Sequence, residues 1–211
     1  MVRNCLLPTL NLTTIGTEPL GSKKTTYVTT VGLNFDNLQD RSDTSDFLIA
    51  RLVQAVHGLK FRPGVIYGIH PEAEPYCQRV AQKLELPCVV YDPRGRGIQF
   101  NGEIGGQQGG SLGLIVDTQL IGPEPYEDAA KNIIARGYRV GGLLAMAEFD
   151  MPDLAQIRGR LTGDLGFLQV EALVKVSELL GHPDIQLYAS ADEIIRARRW
   201  FDPGRNWGSL K

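Results

Sequence analysis

The chain alternates short apolar blocks with segments rich in glycine, proline and polar residues. The clearest pattern lies in residues 112–150. Residues 112–116 form an apolar run that ends at one acid, Asp117. A run of that length, bounded by glycines, predicts a parallel strand covered on both faces. A loop over 119–125 follows, in which Pro123 and Pro125 suit a helix start, where amide donors lack partners anyway. A helix is predicted over 126–135, with Gly137 as its stop, and a second apolar strand follows within 140–150.

The rest of the chain has the same grammar. Residues 25–35 alternate, with Tyr27, Thr29, Val31, Leu33 and Phe35 on one face, which predicts a half-buried strand. A helix over 45–58 is capped by Ser45 and turns Leu48, Leu52, Val53 and Val56 inward. Residues 65–70 and 89–91 predict buried strands. Between them a helix over 71–86 buries Val80, Ala81 and Leu84. Residues 92–110 hold seven glycines, a composition that predicts a flap or hairpin. A helix over 167–180 places Leu168, Ala172, Leu173, Val176, Leu179 and Leu180 inward. A short strand covers 185–188. Ser190 caps a last helix, with Glu193 in capping-box position. Residues 1–17 show no clear period and predict an irregular arm that packs on the body or on a partner.

Strands alternating with helices imply an α/β fold with a parallel sheet and right-handed crossovers. The expected organisation is an arm over 1–17 and one domain over 18–211. Its core covers about 60–160, with a small hood from 18–40 and 150–211. Ligands of open α/β sheets gather at the carboxyl ends of strands, so Asp117 and its loop are the first place to look for function.

Composition narrows the class. With 211 residues, 43% of them hydrophobic and 22% charged, the chain suits one soluble domain. A net charge of −2 lacks the basic stripe of an electrostatic nucleic-acid binder. No apolar run approaches the roughly 20 residues of a membrane helix, and the first residues do not read as a signal peptide. The three cysteines and three histidines have no metal-ligand spacing. They predict reduced thiols in a cytoplasm and no metal site.

The order of parts resembles the type I phosphoribosyltransferases, most like the orotate phosphoribosyltransferases. Leu20-Gly21-Ser22-Lys23-Lys24-Thr25-Thr26-Tyr27 is similar to that family's substrate-side hairpin. Gly68-Ile69-His70-Pro71-Glu72-Ala73-Glu74-Pro75 stands at its pyrophosphate loop, and residues 91–97 at the start of its catalytic loop. Leu114-Ile115-Val116-Asp117-Thr118, continuing to Glu127-Asp128-Ala129, stands on its diphosphate-sugar signature. The resemblance spans roughly 18–182. It implies a parallel sheet with a hood, a homodimer, and a phosphoribosyl diphosphate donor used with magnesium.

The departures fall on the motifs. Such a donor is held by backbone amides in glycine-rich nests at helix N-termini, with Lys or Arg. The family closes the signature strand with two acids, whereas here Asp117 is followed by Thr118. The loop that wraps its 5′-phosphate reads Gly122-Pro123-Glu124-Pro125. Its prolines delete two donors, and Glu124 sets a like charge against the phosphate. At ~4 Å and an effective dielectric near 20 that repulsion is of order 4 kcal/mol, about a thousandfold in affinity. The pyrophosphate loop has Glu72-Ala73 in place of paired glycines, with Glu74 adjacent. The catalytic loop has Arg94 and Arg96 in place of lysines. The family's Asp-Arg pair after the next strand reads Glu148-Phe149, which removes a cation expected near the base carboxylate.

The candidate residues each have two readings. Asp117 either handles ribose hydroxyls or caps its loop. Arg94 and Arg96 either grip the leaving pyrophosphate or are solvated. Lys23, Lys24 and Tyr27 are either substrate contacts or hairpin surface. His70, Thr118 and Gly122 are either donor contacts or loop structure. Glu72, Glu74 and Glu124 are first-turn acids favoured by the helix dipole, and they also fill the anion sites with carboxylates. Trp200, Phe201 and Trp207 form either a docking patch or a core contact. The expected function is a phosphoribosyltransferase-like protein that has lost catalysis and acts as a regulatory or binding module in nucleotide metabolism, with no cofactor. One alternative is an active orotate-type enzyme using magnesium. The other is a scaffold subunit attached through the arm or the C-terminal aromatics. Neither nucleic acid nor membrane is an expected partner.

Overall fold

The computed structural model describes residues 1–11, 16–19, 26–29, 32–35, 42–92, 97–101, 111–150, 154–198 and 201. Helix α1 (Val2–Leu6) leads into a 3-10 turn (Leu7–Thr9). Four short strands follow: β1 (Leu10–Asn11), β2 (Gly16–Pro19), β3 (Thr26–Thr29) and β4 (Gly32–Leu33). They pair antiparallel as β1 with β4 and β2 with β3. The body contains α2 (Ser42–His57), β5 (Val65–Gly68), α3 (Glu74–Leu84), β6 (Cys88–Asp92), β7 (Gly97–Asn101) and β8 (Leu112–Leu120). It continues through α4 (Glu124–Ala135), β9 (Arg139–Glu148), α5 (Leu154–Gly163), β10 (Gln169–Lys175), α6 (Val176–Leu180) and α7 (Ala191–Arg198).

The main sheet runs β10-β9-β8-β5-β6-β7. Its first five strands are parallel, and β7 returns antiparallel on β6, with Cys88 opposite Asn101. The glycine-rich segment is thus a hairpin over its described part. After β5 the chain steps to one side (β6, β7) and then returns to the other (β8, β9, β10). The order therefore reverses between β5 and β8, and the crevice at their carboxyl ends is where such sheets take ligands.

Both faces of the sheet are covered, which explains the unbroken apolar runs. On one face, α1, α2, α3, α6 and α7 bring Leu6, Leu48, Leu52, Val80, Leu179 and Ile194 into one core. On the other, α4 and α5 bring Ala130, Ile133, Ile157 and Leu161. The stop at Gly137 holds. Gly137 has φ +84, Tyr138 N donates to Ile133 O at 3.2 Å, and Gly137 N to Ile134 O at 2.9 Å. These bonds satisfy the last carbonyls of α4. The cap at Ser190 holds too: Ser190 N and Oγ donate to Glu193 Oε2 at 2.8 and 2.7 Å. Within the sheet, the Tyr67 ring lies across Gly113. A Cβ at 113 would come within 1.9 Å of a ring carbon.

Several expectations are corrected. The first part of the arm over 1–17 is a helix and a 3-10 turn, with Leu6 and Leu7 fully buried in the core. The strand over 25–35 is two short strands, β3 and β4. Ser45 lies inside α2 rather than at its cap, and accepts from Arg79 Nη1 at 2.8 Å. The strand at 112–116 does not stop at Asp117 but runs on to Leu120. The helix over 167–180 is the strand β10 followed by the short helix α6. Its side chains Val170 and Val174 are buried, while Leu168 is exposed. The strand at 185–188 is a 3-10 helix (Pro183–Leu187). Helix α5 has no counterpart in the sequence reading.

Candidate functional site

The reversal point places the ends of β5 and β8 side by side, with Gly68 opposite Val116. Just beyond β5, His70 precedes a 3-10 turn, Pro71–Ala73. One residue past Val116, Asp117 lies inside β8, only 1% exposed. A buried carboxylate must be matched by donors or a cation, and among the described residues His70, Thr118 and Tyr126 surround it. His70 Nδ1 lies 2.7 Å from Asp117 Oδ2, and the Tyr126 hydroxyl donates to the same oxygen at 2.9 Å. The Thr118 amide donates to Oδ1 at 2.7 Å, and the Thr118 hydroxyl lies 3.4 Å from that oxygen. The Tyr126 hydroxyl also lies 2.6 Å from Gln119 O. Its ring meets the His70 imidazole edge-on, with centroids 6.3 Å apart at 85°.

The electrostatics follow from burial. Burial pushes the Tyr126 phenol well above its ordinary range, and the Asp117 carboxylate adds to that, so the phenol remains a donor. Cys77 is likewise pushed well up by burial, with Cys88 and Asp117 adding. Its thiol donates to Val116 O at 3.0 Å. The His70 side chain is 27% exposed and the Asp117 side chain 0%. The imidazole therefore forms the outer wall of the cluster and the carboxylate its floor.

The expected anion loop has a different content. Pro123 stands at the N-cap of α4 and offers no side-chain cap bond. The Glu124 carboxylate folds back over Gly122, with Oε2 at 3.0 Å from where a Cβ would stand. That oxygen is buried and makes no hydrogen bond. The nearby cation, Arg160 of α5, binds Glu127 at 2.6 Å and lies 4.0 Å from Glu124.

Of the residues expected from sequence, His70, Asp117 and Thr118 meet in one cluster, and Gly122 is buried at the entrance to α4. Tyr27 lies in β3 opposite Glu18, with its side chain outside the described residues. Lys23, Lys24, Arg94 and Arg96 fall outside them, as do Trp200 and Trp207. Phe201 is a core contact, stacked on Phe149 at 6.5 Å. The sequence reading missed Tyr126, which it took only as a helix start nine residues beyond the acid. It also missed Arg158. On α5 the Arg158 guanidinium binds the Glu148 carboxylate and the Val170 carbonyl. Among the described residues no three His, Cys, Asp or Glu side chains cluster as a metal site would, and the oxygens of Asp117 carry bonds from within the chain.

No protein-family model matches the chain, and a search of curated proteins finds no match. Solved structures do match. The UMP synthase of Leishmania donovani superposes with a TM-score of 0.73 at 16% identity, over 95% of this chain and 41% of that one. This chain thus spans well under half the length of that protein. The orotate phosphoribosyltransferase of Aeropyrum pernix superposes with a TM-score of 0.63 at 17% identity, over 86% of this chain and 98% of that one. An adenine phosphoribosyltransferase of Trypanosoma brucei gives 0.61 at 9% identity, over 82% and 79%. Among the described residues no helix is long and apolar enough to cross a membrane. Sheet order, crossovers and these superpositions agree: the chain has the fold of the type I phosphoribosyltransferases.

Proposed function

We propose that this chain keeps the phosphoribosyltransferase fold without phosphoribosyl transfer, and serves as a binding or regulatory module. The observation that carries this reading is the saturation of Asp117. In the resemblance, this acid would meet ribose hydroxyls. Here Oδ2 takes His70 and Tyr126, and Oδ1 takes the Thr118 amide. A sugar reaching it must break bonds inside a buried cluster, at about 1–3 kcal/mol for each group left without a partner. Glu124 adds a carboxylate where the donor's phosphate would approach.

The second reading is an active orotate-type transferase using magnesium. The match over nearly the whole length of the Aeropyrum pernix enzyme favours it. A heat-denaturation scan with phosphoribosyl diphosphate and magnesium separates the two. A ligand at 100 times its Kd adds about 2.7 kcal/mol to the folded state, several degrees in a chain of this size. The expected result is no shift in midpoint and no pyrophosphate released with orotate or adenine. A shift accompanied by pyrophosphate release would establish the active reading instead.

A further inference from the structure

The amino ends of the strands carry a surface whose sign opposes the rest of the chain. Residues 57–64 lead into β5 and residues 134–141 lead into β9. Together they hold four Lys or Arg (Lys60, Arg62, Arg136 and Arg139) and no acid. The whole chain sums to −2, so everything outside these two stretches sums to −6. All four cations are exposed, and among the described residues none enters an ion pair. The acids of the neighbouring described loops, Glu85 before β6 and Asp164 before β10, do not pair with them.

Backbone bonds bring the two stretches together. Arg139 stands opposite Leu112 in the sheet. Gly64 N donates to Leu112 O at 2.8 Å, which sets Arg62 two residues from the same point. The Phe61 ring packs on β9, where a Cβ at Gly141 would come within 2.6 Å of it. Lys60 N donates to Gln169 Oε1 at 2.8 Å, and Leu168 N donates to Gly141 O at 2.8 Å. Lys60, Arg62, Arg139 and Leu168 thus belong to segments that meet around Phe61. Arg136 follows the last turn of α4, two residues after Ile134. Leu168 is 55% exposed and Ile134 49%, so aliphatic side chains stand among the cations.

That combination selects a partner. Unpaired cations on one surface attract an anion, and reach decides which kind. The field of exposed charges fades over ~10 Å at 0.1 M salt. A nucleic-acid strand or an anionic bilayer extends well past that length and meets the remainder of the chain, at net −6, which repels it. A short acidic segment meets only the four cations. Leu168 and Ile134 offer it aliphatic contacts that a phosphate backbone does not use. We infer that the amino end of the sheet docks an acidic segment of another protein, in which Asp or Glu residues are interspersed with aliphatic side chains. Leu112 begins β8 and Asp117 lies in its second half, so this surface is at the far end of the strands from the crevice. It stands whether or not the crevice transfers phosphoribosyl groups.

Fluorescence anisotropy of a labelled Glu-rich peptide carrying two leucines, titrated with the full chain, tests this. The peptide is expected to bind at low salt and to weaken at least about tenfold as salt rises from about 0.05 to 0.3 M. Arg62→Glu and Arg139→Glu should each weaken binding about tenfold. Arg3→Glu makes the same charge change beside Glu178, beyond the carboxyl end of β10, and should leave binding within about twofold. Circular dichroism melts confirm that each variant is folded, and the salt dependence of the wild type needs no variant. Absence of binding at low salt overturns the proposal, as does an equal loss in Arg3→Glu and Arg139→Glu. So does tighter capture of a uridine oligonucleotide or of phosphatidylserine vesicles than of the peptide.

Discussion

Two adjacent strands of the sheet each bury one carboxylate, and the chain satisfies them in opposite ways. Asp117 of β8 is 1% exposed and Glu148 of β9 is 3% exposed. Asp117 draws on several donors from three places: His70 after β5, Tyr126 in α4 and its neighbour Thr118. Glu148 draws on one guanidinium, Arg158 of α5. A distributed set of hydrogen bonds degrades one bond at a time, whereas a single ion pair fails at once. The comparison also shows that the lone pairs of a buried acid can be taken up inside the fold either by several neutral donors or by one cation.

The largest expected effect comes from the single-partner side. Arg158→Met leaves Glu148 buried without a cation and should cost about 3 kcal/mol in urea denaturation at neutral pH. Adding Glu148→Gln to Arg158→Met should recover part of the loss. If Arg158→Met is nearly neutral, the contrast between the two acids is gone.

A smaller effect belongs to the distributed side. Tyr126→Phe removes one of the donors to Asp117 and should cost about 1–2 kcal/mol, read as a lowered thermal midpoint. A loss as large as that of Arg158→Met would show that the Asp117 cluster is not distributed at all.

The smallest effect at neutral pH grows on the alkaline side. Burial pushes Cys88 to about 11, with Glu74 adding, and Cys77 and Tyr126 are raised as well. All three hold their protons longer folded than unfolded. Their contribution is therefore complete below the ordinary thiol pKa of 9.0 and is lost as pH rises through the folded values. Stability should fall between pH 9 and about 11, as measured by urea midpoints across that range. Cys88→Ala should flatten the fall.

The fold was legible wherever local pattern and tertiary demand agreed. The runs at β5 and β8 are apolar because both of their faces are covered, and Gly137 and Ser190 act through bonds local to the helix ends. Residues 167–180 misled because Leu168, Ala172, Val176 and Leu179 satisfy helical spacing. Val170 and Val174, four residues apart, fit a helix as well, and it was pairing with β9 that decided in favour of the strand. Helix α5 has a weak apolar stripe and contains Gly159 and Gly163, so its period hardly shows. The site was half legible. Asp117 and His70 stand out at strand ends, but Asp-Thr-Gln reads as a loop because nothing local says that Tyr126 will bury it.

The close contact of Tyr67 with Gly113 makes two positions on neighbouring strands one shared volume. The flat aromatic takes up the room a methyl would need, so bulk at 113 can be gained only if bulk at 67 is given up. A side chain at 113 therefore has to wait for a smaller residue at 67, whereas 67 can shrink while 113 stays glycine.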